Sequence, residues 1–181
     1  TDCEGNSHLW KFVYTIERND FTLPANGSSN IFCFDDAIPP SPPTVFTNCG
    51  EPINPTGPVI SIDPNPVVCV GTVIYTWTYT DCEGNAHSWT YTYNINDNVS
   101  PVVYQCPADK SIEGCNVSVI TNPAFSLIET NSSYSQFNCS PNFGVANNNC
   151  GFPLSVKYKD IATAECPIIV TRTWTLTDQC G

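Results

Sequence analysis

Basic residues are scarce in this chain. Six Lys and Arg stand against seventeen Asp and Glu, for a formal net charge of −11. Nucleic acid and anionic membrane both require clustered Lys and Arg, so neither is expected as a partner. No run of about 18 apolar residues occurs, which argues against a membrane-inserted helix. Methionine is absent, and histidine occurs only as His8 and His87. Close Cys-x-x-Cys pairs are missing although the chain holds eleven cysteines, so a zinc site has no footing. That many cysteines in 181 residues point instead to an oxidised, exported protein. The chain opens without a signal peptide, as a mature or excised fragment would.

Helical periodicity is almost missing too, and sixteen prolines exclude long helices. What the chain has is alternation and repetition. Thr1-Asp2-Cys3-Glu4-Gly5-Asn6 recurs at Thr80-Asp81-Cys82-Glu83-Gly84-Asn85, and a variant, Thr177-Asp178-Gln179-Cys180-Gly181, closes the sequence. Thr1 to Glu17 and Thr80 to Asn96 agree at ten of seventeen positions, among them His8 with His87, Trp10 with Trp89, Tyr14 with Tyr93 and Ile16 with Ile95. Upstream of the third copy, Trp174 lines up with Trp77. Self-similarity at this spacing is the signature of a modular array.

The repeat divides the chain into a closing strand of a preceding module over 1–18, one module over 19–97 and a second over 98–181. The second lacks its last strand and carries an Asn- and Ser-rich loop insertion near 120–149. Val73 to Thr80 and Trp89 to Ile95 each place aromatic and aliphatic side chains on one face, as a half-buried strand requires. Asp81 to Asn85 has turn composition, so the two runs form a hairpin. Short strands are expected at Ile31 to Cys33 and Thr44 to Phe46, and an edge strand at Val59 to Ile62 among prolines. The fold class that follows is all-β: tandem immunoglobulin-like Greek-key sandwiches, stapled by disulfides.

Equivalence between modules restricts the cysteine pairing. Cys49 and Cys69 correspond to Cys150 and Cys166, giving Cys49–Cys69 and Cys150–Cys166. Cys33 and Cys115 correspond as well, leaving Cys82 and Cys180 as partners in Cys33–Cys82 and Cys115–Cys180. Cys106 and Cys139 are private to the second module and are assigned to each other, while Cys3 belongs to a preceding module.

The runs Pro101 to Asp109, Asn149-Cys150-Gly151 and Thr171 to Gly181 resemble the hyalin-repeat (HYR-like) immunoglobulin-type module. The Tyr75 to Asn85 form with His87 is similar to repeats of large Bacteroidota surface proteins, including gliding-motility adhesins exported by type IX secretion. The resemblance implies a spacer or adhesive module of an extracellular, cell-surface stalk and carries over no catalytic residue.

Catalysis has no independent support either. One histidine per module makes neither a triad nor a zinc set, and no carboxylate pair recurs in both modules. His8 and His87 are assigned turn-stabilising roles. Trp10, Trp77, Trp89 and Trp174 suit a sugar-stacking platform or a core; their placement on a persistent apolar face favours the core. The opposite row of threonines fails as an ice-binding surface, since Lys11 and Val13 replace Thr90 and Thr92. Asn94 to Pro101 is similar to the cadherin linker, which implies Ca²⁺ at Asn96, Asp97 and Asn98, with Asp81, Glu83 or acids of the next module completing the shell; an ordinary hydrogen-bonded turn is the alternative. No other cofactor is expected. Asn-x-Ser sequons stand at Asn26, Asn98, Asn116, Asn131 and Asn138.

The expected function is structural: a repeat segment of an extracellular fibre, stalk or adhesin, partnered by neighbouring modules or subunits of the same array. The alternative is a carbohydrate-binding accessory module of a secreted enzyme, partnered by surface glycans. If the chain is a complete subunit, Trp10 to Ile16 complete a neighbour's sandwich by strand addition.

Overall fold

The structure, a computed structural model, describes residues 3–151, 153–163 and 166–181. Thr1 and Asp2, which open the first copy of the repeat, lie outside these residues. Strand takes 38% of the chain and helix 6%, so sheets, not helix layers, carry the fold. In chain order the first half forms β1 (Gly27–Ile31), β2 (Val45–Phe46), β3 (Pro52–Ile53), β4 (Thr56–Asp63), β5 (Val70–Thr80) and β6 (Ala86–Asn96). The second half forms β7 (Val102–Gln105), β8 (Thr130–Ser132), helix α1 (Tyr134–Asn138), β9 (Val145–Asn147), β10 (Ser155–Ala162) and β11 (Val170–Thr177).

One sheet has the order β1-β6-β5-β4 and another the order β11-β10-β8; β2 with β3 and β7 with β9 make two-stranded ribbons. The proline-flanked strand β4 lies at a sheet edge, where a residue without a donor does least harm. β1 runs parallel to β6, with Gly27 opposite Tyr91 and Ile31 opposite Ile95. The β5–β6 turn is closed by Asp81: its Oδ1 accepts from the amides of Glu83 and Asn85, and its Oδ2 from Asn85 Nδ2, each at 2.9 Å. Gly84 sits at φ 90°, a conformation open to glycine and costly for a side chain.

By packing, the chain gathers into two units. The first draws on Thr1–Asn26, Ser41–Val59 and Thr76–Thr90. Its buried apolar residues include Phe21, Val45, Ile53, Trp77, Tyr79 and Trp89, with the Trp77 and Trp89 rings 5.4 Å apart. The Trp89 indole donates to Ala25 O at 2.9 Å, and the Tyr79 hydroxyl to Pro43 O at 2.5 Å. Burial pushes the Tyr79 hydroxyl pKa up. Arg18 joins Glu51 through its guanidinium and Glu83 Oε1 through its backbone amide.

The second unit draws on Gly27–Pro40, Ile60–Tyr75 and Tyr91–Gly181. Here the Tyr75 and Tyr93 hydroxyls donate to Ala37 O and Ile38 O at 2.6 and 2.7 Å. Proline removes donors from a segment but leaves its carbonyls, and tyrosines of the long strands satisfy them in each unit.

Within the second unit, β10 alternates strictly and buries Val156, Tyr158 and Asp160. The stretch 131–149, expected as a surface loop, instead contributes to this core. Ser133 caps α1, accepting from Gln136 N while Gln136 Oε1 accepts from Ser133 N, and the helix delivers Phe137 against Ala146 and Val156. A Cβ on Gly144 would lie 2.3 Å from the Phe137 ring, so only glycine fits there. Asp160 is fully buried and held by Arg172, whose Nε and Nη2 donate to its two oxygens at 2.7 and 2.8 Å. The same guanidinium lies 4.6 Å from the Tyr158 ring centre.

Candidate functional site

Two features stand out as sites: the repeated aromatic strand and the cysteine cluster at Asp97. In β6 the period-2 pattern turns Trp89 and Ile95 inward, and Trp89 is 6% exposed. His87 opens the same strand with Nε2 2.8 Å from Asp20 Oδ2, and its ring meets Phe21 edge-on. The matching residues of the first copy behave differently. Between residues 6 and 26 no strand forms, and Trp10 is 78% exposed, with Phe12, Tyr14 and Ile16 exposed beside it. Trp10 and Phe12 stack at 5.8 Å and Phe12 meets Tyr14 edge-on at 4.6 Å. The expected core role of Trp10 is therefore corrected: its face is apolar, but no strand lies alongside to bury it. Trp77 and Trp89 are core residues, and Trp174 is half-buried against Phe137 and Tyr158, each 5.5 Å away.

The disulfides also differ from the expected set. Cys33 is bonded to Cys150 and Cys69 to Cys180. Cys3, Cys49, Cys82, Cys106, Cys115, Cys139 and Cys166 are free and exposed. Cys33–Cys82, Cys49–Cys69, Cys115–Cys180, Cys150–Cys166 and Cys106–Cys139 are thus absent. Register supplies the reason for the first. The parallel pairing of β1 with β6 brings Ile31 beside Ile95, so Cys33 emerges where β6 ends, whereas Cys82 precedes its start. The strand between them spans about 30 Å at roughly 3.4 Å per residue, far beyond the ~7 Å limit for bonded cysteine Cα atoms. Cys69, Cys150 and Cys180 are consumed by the observed bridges, which removes the next three pairs.

Asp97 organises this cluster. Its amide donates to Cys69 O at 2.8 Å, and its Oδ1 accepts from Asn149 Nδ2 at 3.0 Å and Val99 N at 3.3 Å. The same Asn149 amide reaches the Cys150 sulfur at 3.3 Å and the Cys33 sulfur at 3.7 Å. One side chain from the supposed loop thereby joins a carboxylate to a disulfide. Of the stretch proposed for calcium, Asp97 is buried while Asn96 and Asn98 are exposed, and Asn98 lines a small hollow with Asp97. Asp81 and Glu83 are engaged in the hairpin turn and with Arg18. Among the described residues, no three His, Cys, Asp or Glu side chains gather as a metal-binding group. No helix of the described residues is long and apolar enough to cross a membrane.

The span from Phe21 through β6 thus holds four cysteines, Cys33, Cys49, Cys69 and Cys82, on a hairpin-centred sheet. Residues 21–95 match the family model of the HYR-like domain with 4 cysteines. The matched segment ends at Ile95, the last inward residue of β6. Two of its four cysteines, Cys33 and Cys69, bond outside the segment. HYR is an immunoglobulin-like fold, in keeping with the sheets seen here, and HYR-like domains are of the extracellular repeat or adhesion type. No curated protein and no solved structure matches the chain.

Proposed function

We propose that this chain is a structural repeat segment of an extracellular fibre, stalk or cell-surface adhesin, of the kind built from HYR-like modules in large Bacteroidota surface proteins. Its repeat modules run over 19–97 and 98–181, and residues 1–18 close a preceding one. One observation carries the reading: the same aromatic strand is paired in one copy and unpaired in the other. β6 lies between β1 and β5, with Trp89 against Trp77. β11, whose Trp174 corresponds to Trp77, is the outer strand of its sheet. A strand of the form of His8 to Ile16, supplied by a neighbouring module, fits that edge with Trp10 against Trp174. Main-chain hydrogen bonds would give the affinity and the aromatic face the register.

The test is to titrate a synthetic peptide of residues 7–17 into the full chain and follow tryptophan fluorescence and sedimentation. Saturable binding lost on Trp10→Ser in the peptide is the expected result; indifference of the full chain to the peptide rejects strand passage. The row of exposed rings Trp10, Phe12 and Tyr14 also suits a carbohydrate-binding accessory module. Glycan-array binding by the full chain that disappears in Trp10→Ala would favour that second reading.

A further inference from the structure

The two observed bridges obey one rule when read through the repeat. Cys33 and Cys69 belong to the module over 19–97, and their partners Cys150 and Cys180 to the module over 98–181. Within the repeat, Cys150 and Cys180 are the counterparts of Cys49 and Cys82. Each bridge therefore joins an early cysteine of one module to a turn cysteine of the next. Applied to the remaining cysteines, the rule leaves open ends on both sides. Cys49 and Cys82 call for partners from a module before, and Cys115 and Cys166, the counterparts of Cys33 and Cys69, call for partners from a module after. All four are free and exposed.

Local structure supports the equivalence. Gly50 N donates to Thr47 O at 2.9 Å and Gly151 N to Asn148 O at 3.3 Å, with the two glycines at φ 83° and 72°. In each of these turns the asparagine before the cysteine meets its sulfur: the free Cys49 thiol donates to Asn48 Oδ1 at 3.6 Å, and the bonded Cys150 sulfur accepts from Asn149 Nδ2 at 3.3 Å. Asp81 Oδ1 accepts from Glu83 N at 2.9 Å and Asp178 Oδ1 from Cys180 N at 2.8 Å, with Gly84 and Gly181 next at φ 90° and 91°. The cysteine stands one position earlier in the first of these two turns. On the other side of the rule, Cys33 and Cys115 each lead into a short 3₁₀ turn, over Phe34–Asp36 and Val117–Val119, and Cys69 and Cys166 lie ahead of β5 and β11.

Arg18 draws the two upstream turns together. Its guanidinium joins Glu51, two residues beyond Cys49, and its amide donates to Glu83 Oε1 at 2.7 Å, one residue beyond Cys82. Glu51 first, then the nearby Cys82 and Cys49, raise the pKa of the guanidinium, so both thiols gather around one side chain of the first unit.

We infer that Cys49 and Cys82 bond to Cys115 and Cys166 of a second copy of this chain docked head to tail, so that two disulfides link each module to the next. The inference rests on the repeat-segment reading and agrees with its strand passage, because residues 8–16 share the first unit with Cys49 and Cys82. In a linear array each repeat touches only its neighbours, so a covalent link between neighbours ties the whole array. A disulfide such as oxidised glutathione supplies the oxidation. The Cys49 thiolate attacks it and expels one glutathione thiolate; the Cys115 thiolate then attacks the Cys49 sulfur and expels the second, and Cys82 with Cys166 reacts likewise. Once one bridge has formed, the second closes within a single complex.

The experiment mixes equal amounts of isotope-labelled and unlabelled full chain with oxidised and reduced glutathione and maps the cross-linked peptides by mass spectrometry. Mixed-isotope Cys49–Cys115 and Cys82–Cys166 peptides should dominate, with a ladder of covalent multimers on a non-reducing gel. Cys49→Ser should abolish the first link, and Cys106→Ser should leave both. A Cys49–Cys82 bond within one chain, coupling of Cys49 to Cys106 or Cys139 as often as to Cys115, or chains that stay unlinked would each overturn the pairing. The peptide of residues 7–17, titrated in parallel, separates the two claims. Peptide binding without these bridges rejects the covalent pairing and leaves the repeat-segment reading in place, whereas failure of both rejects both.

Discussion

Residues 8–16 and 87–95 present matched His, Trp, Tyr and Ile side chains, yet one stretch is exposed and unpaired while the other is a buried strand. The difference shows that the aromatic face does not fold by its own propensity. It becomes a strand where β1 and β5 flank it, where Ala25 O receives the indole N–H, and where Asp20 meets the histidine. An alternating sequence specifies which side chains share a face; burial needs a second surface.

The contrast can be broken most directly at the paired tryptophans. Trp89→Ala is expected to cost about 3–5 kcal/mol of unfolding free energy, the usual range for a buried tryptophan, whereas Trp10→Ala in the free chain stays within about 0.5 kcal/mol. Denaturant titration of both variants measures this, and equal losses would erase the distinction. Removing the brace at the start of β5 comes next. Cys69→Ser opens the Cys69–Cys180 bridge, which spans 111 residues, and is expected to cost about 4–5 kcal/mol on the loop-entropy model, read by the same titration, with no effect on peptide binding. Supplying the missing neighbour works in the other direction. The 7–17 peptide at a hundredfold excess over its dissociation constant should stabilise the chain by about 2.7 kcal/mol, seen as a higher melting temperature, and a scrambled peptide should do nothing.

The smallest effect concerns the turn that holds the buried copy. The Asn85 side-chain amide, helped by the amides of Asn85, Glu83 and Gly84 and opposed by burial, holds the Asp81 carboxyl below its ordinary 3.8. Because the folded value lies below the unfolded one, this contribution is complete above the unfolded pKa and is lost as pH falls through the folded value. Amide exchange at Glu83 and Asn85 should therefore quicken below about pH 4, and Asp81→Asn should remove that pH dependence.

The β5–β6 hairpin and the edge position of β4 were legible, because alternation and proline each have one structural meaning at those residues. The disulfides were not: equivalence identifies cysteines with the same place in a repeat, whereas bonding joins cysteines that are neighbours in space. Cys33 meets Cys150 through the parallel register of β1 and β6 and through Asn149, neither of which leaves a local signal. Helix α1 did leave one, since Ser133 and Gln136 have the spacing of a capping box, but it lies in an Asn- and Ser-rich tract that reads as loop. Asp97 and Asp178, far apart in the chain, come to one hollow only through the fold, which no local pattern signals.

The Cys33–Cys150 bridge closes a separation of 117 residues at a Cα distance of 5.1 Å. Under tension applied at the two ends, that whole stretch drops out of the covalent path, and force passes from Cys33 directly to Cys150. A chain of 181 residues could otherwise be drawn out to about 600 Å, at roughly 3.3–3.6 Å per residue; with the bridge intact its reach is about 200 Å. Unfolding every sheet would still leave a short tether, so oxidation state, more than sheet stability, sets how far such a segment can stretch.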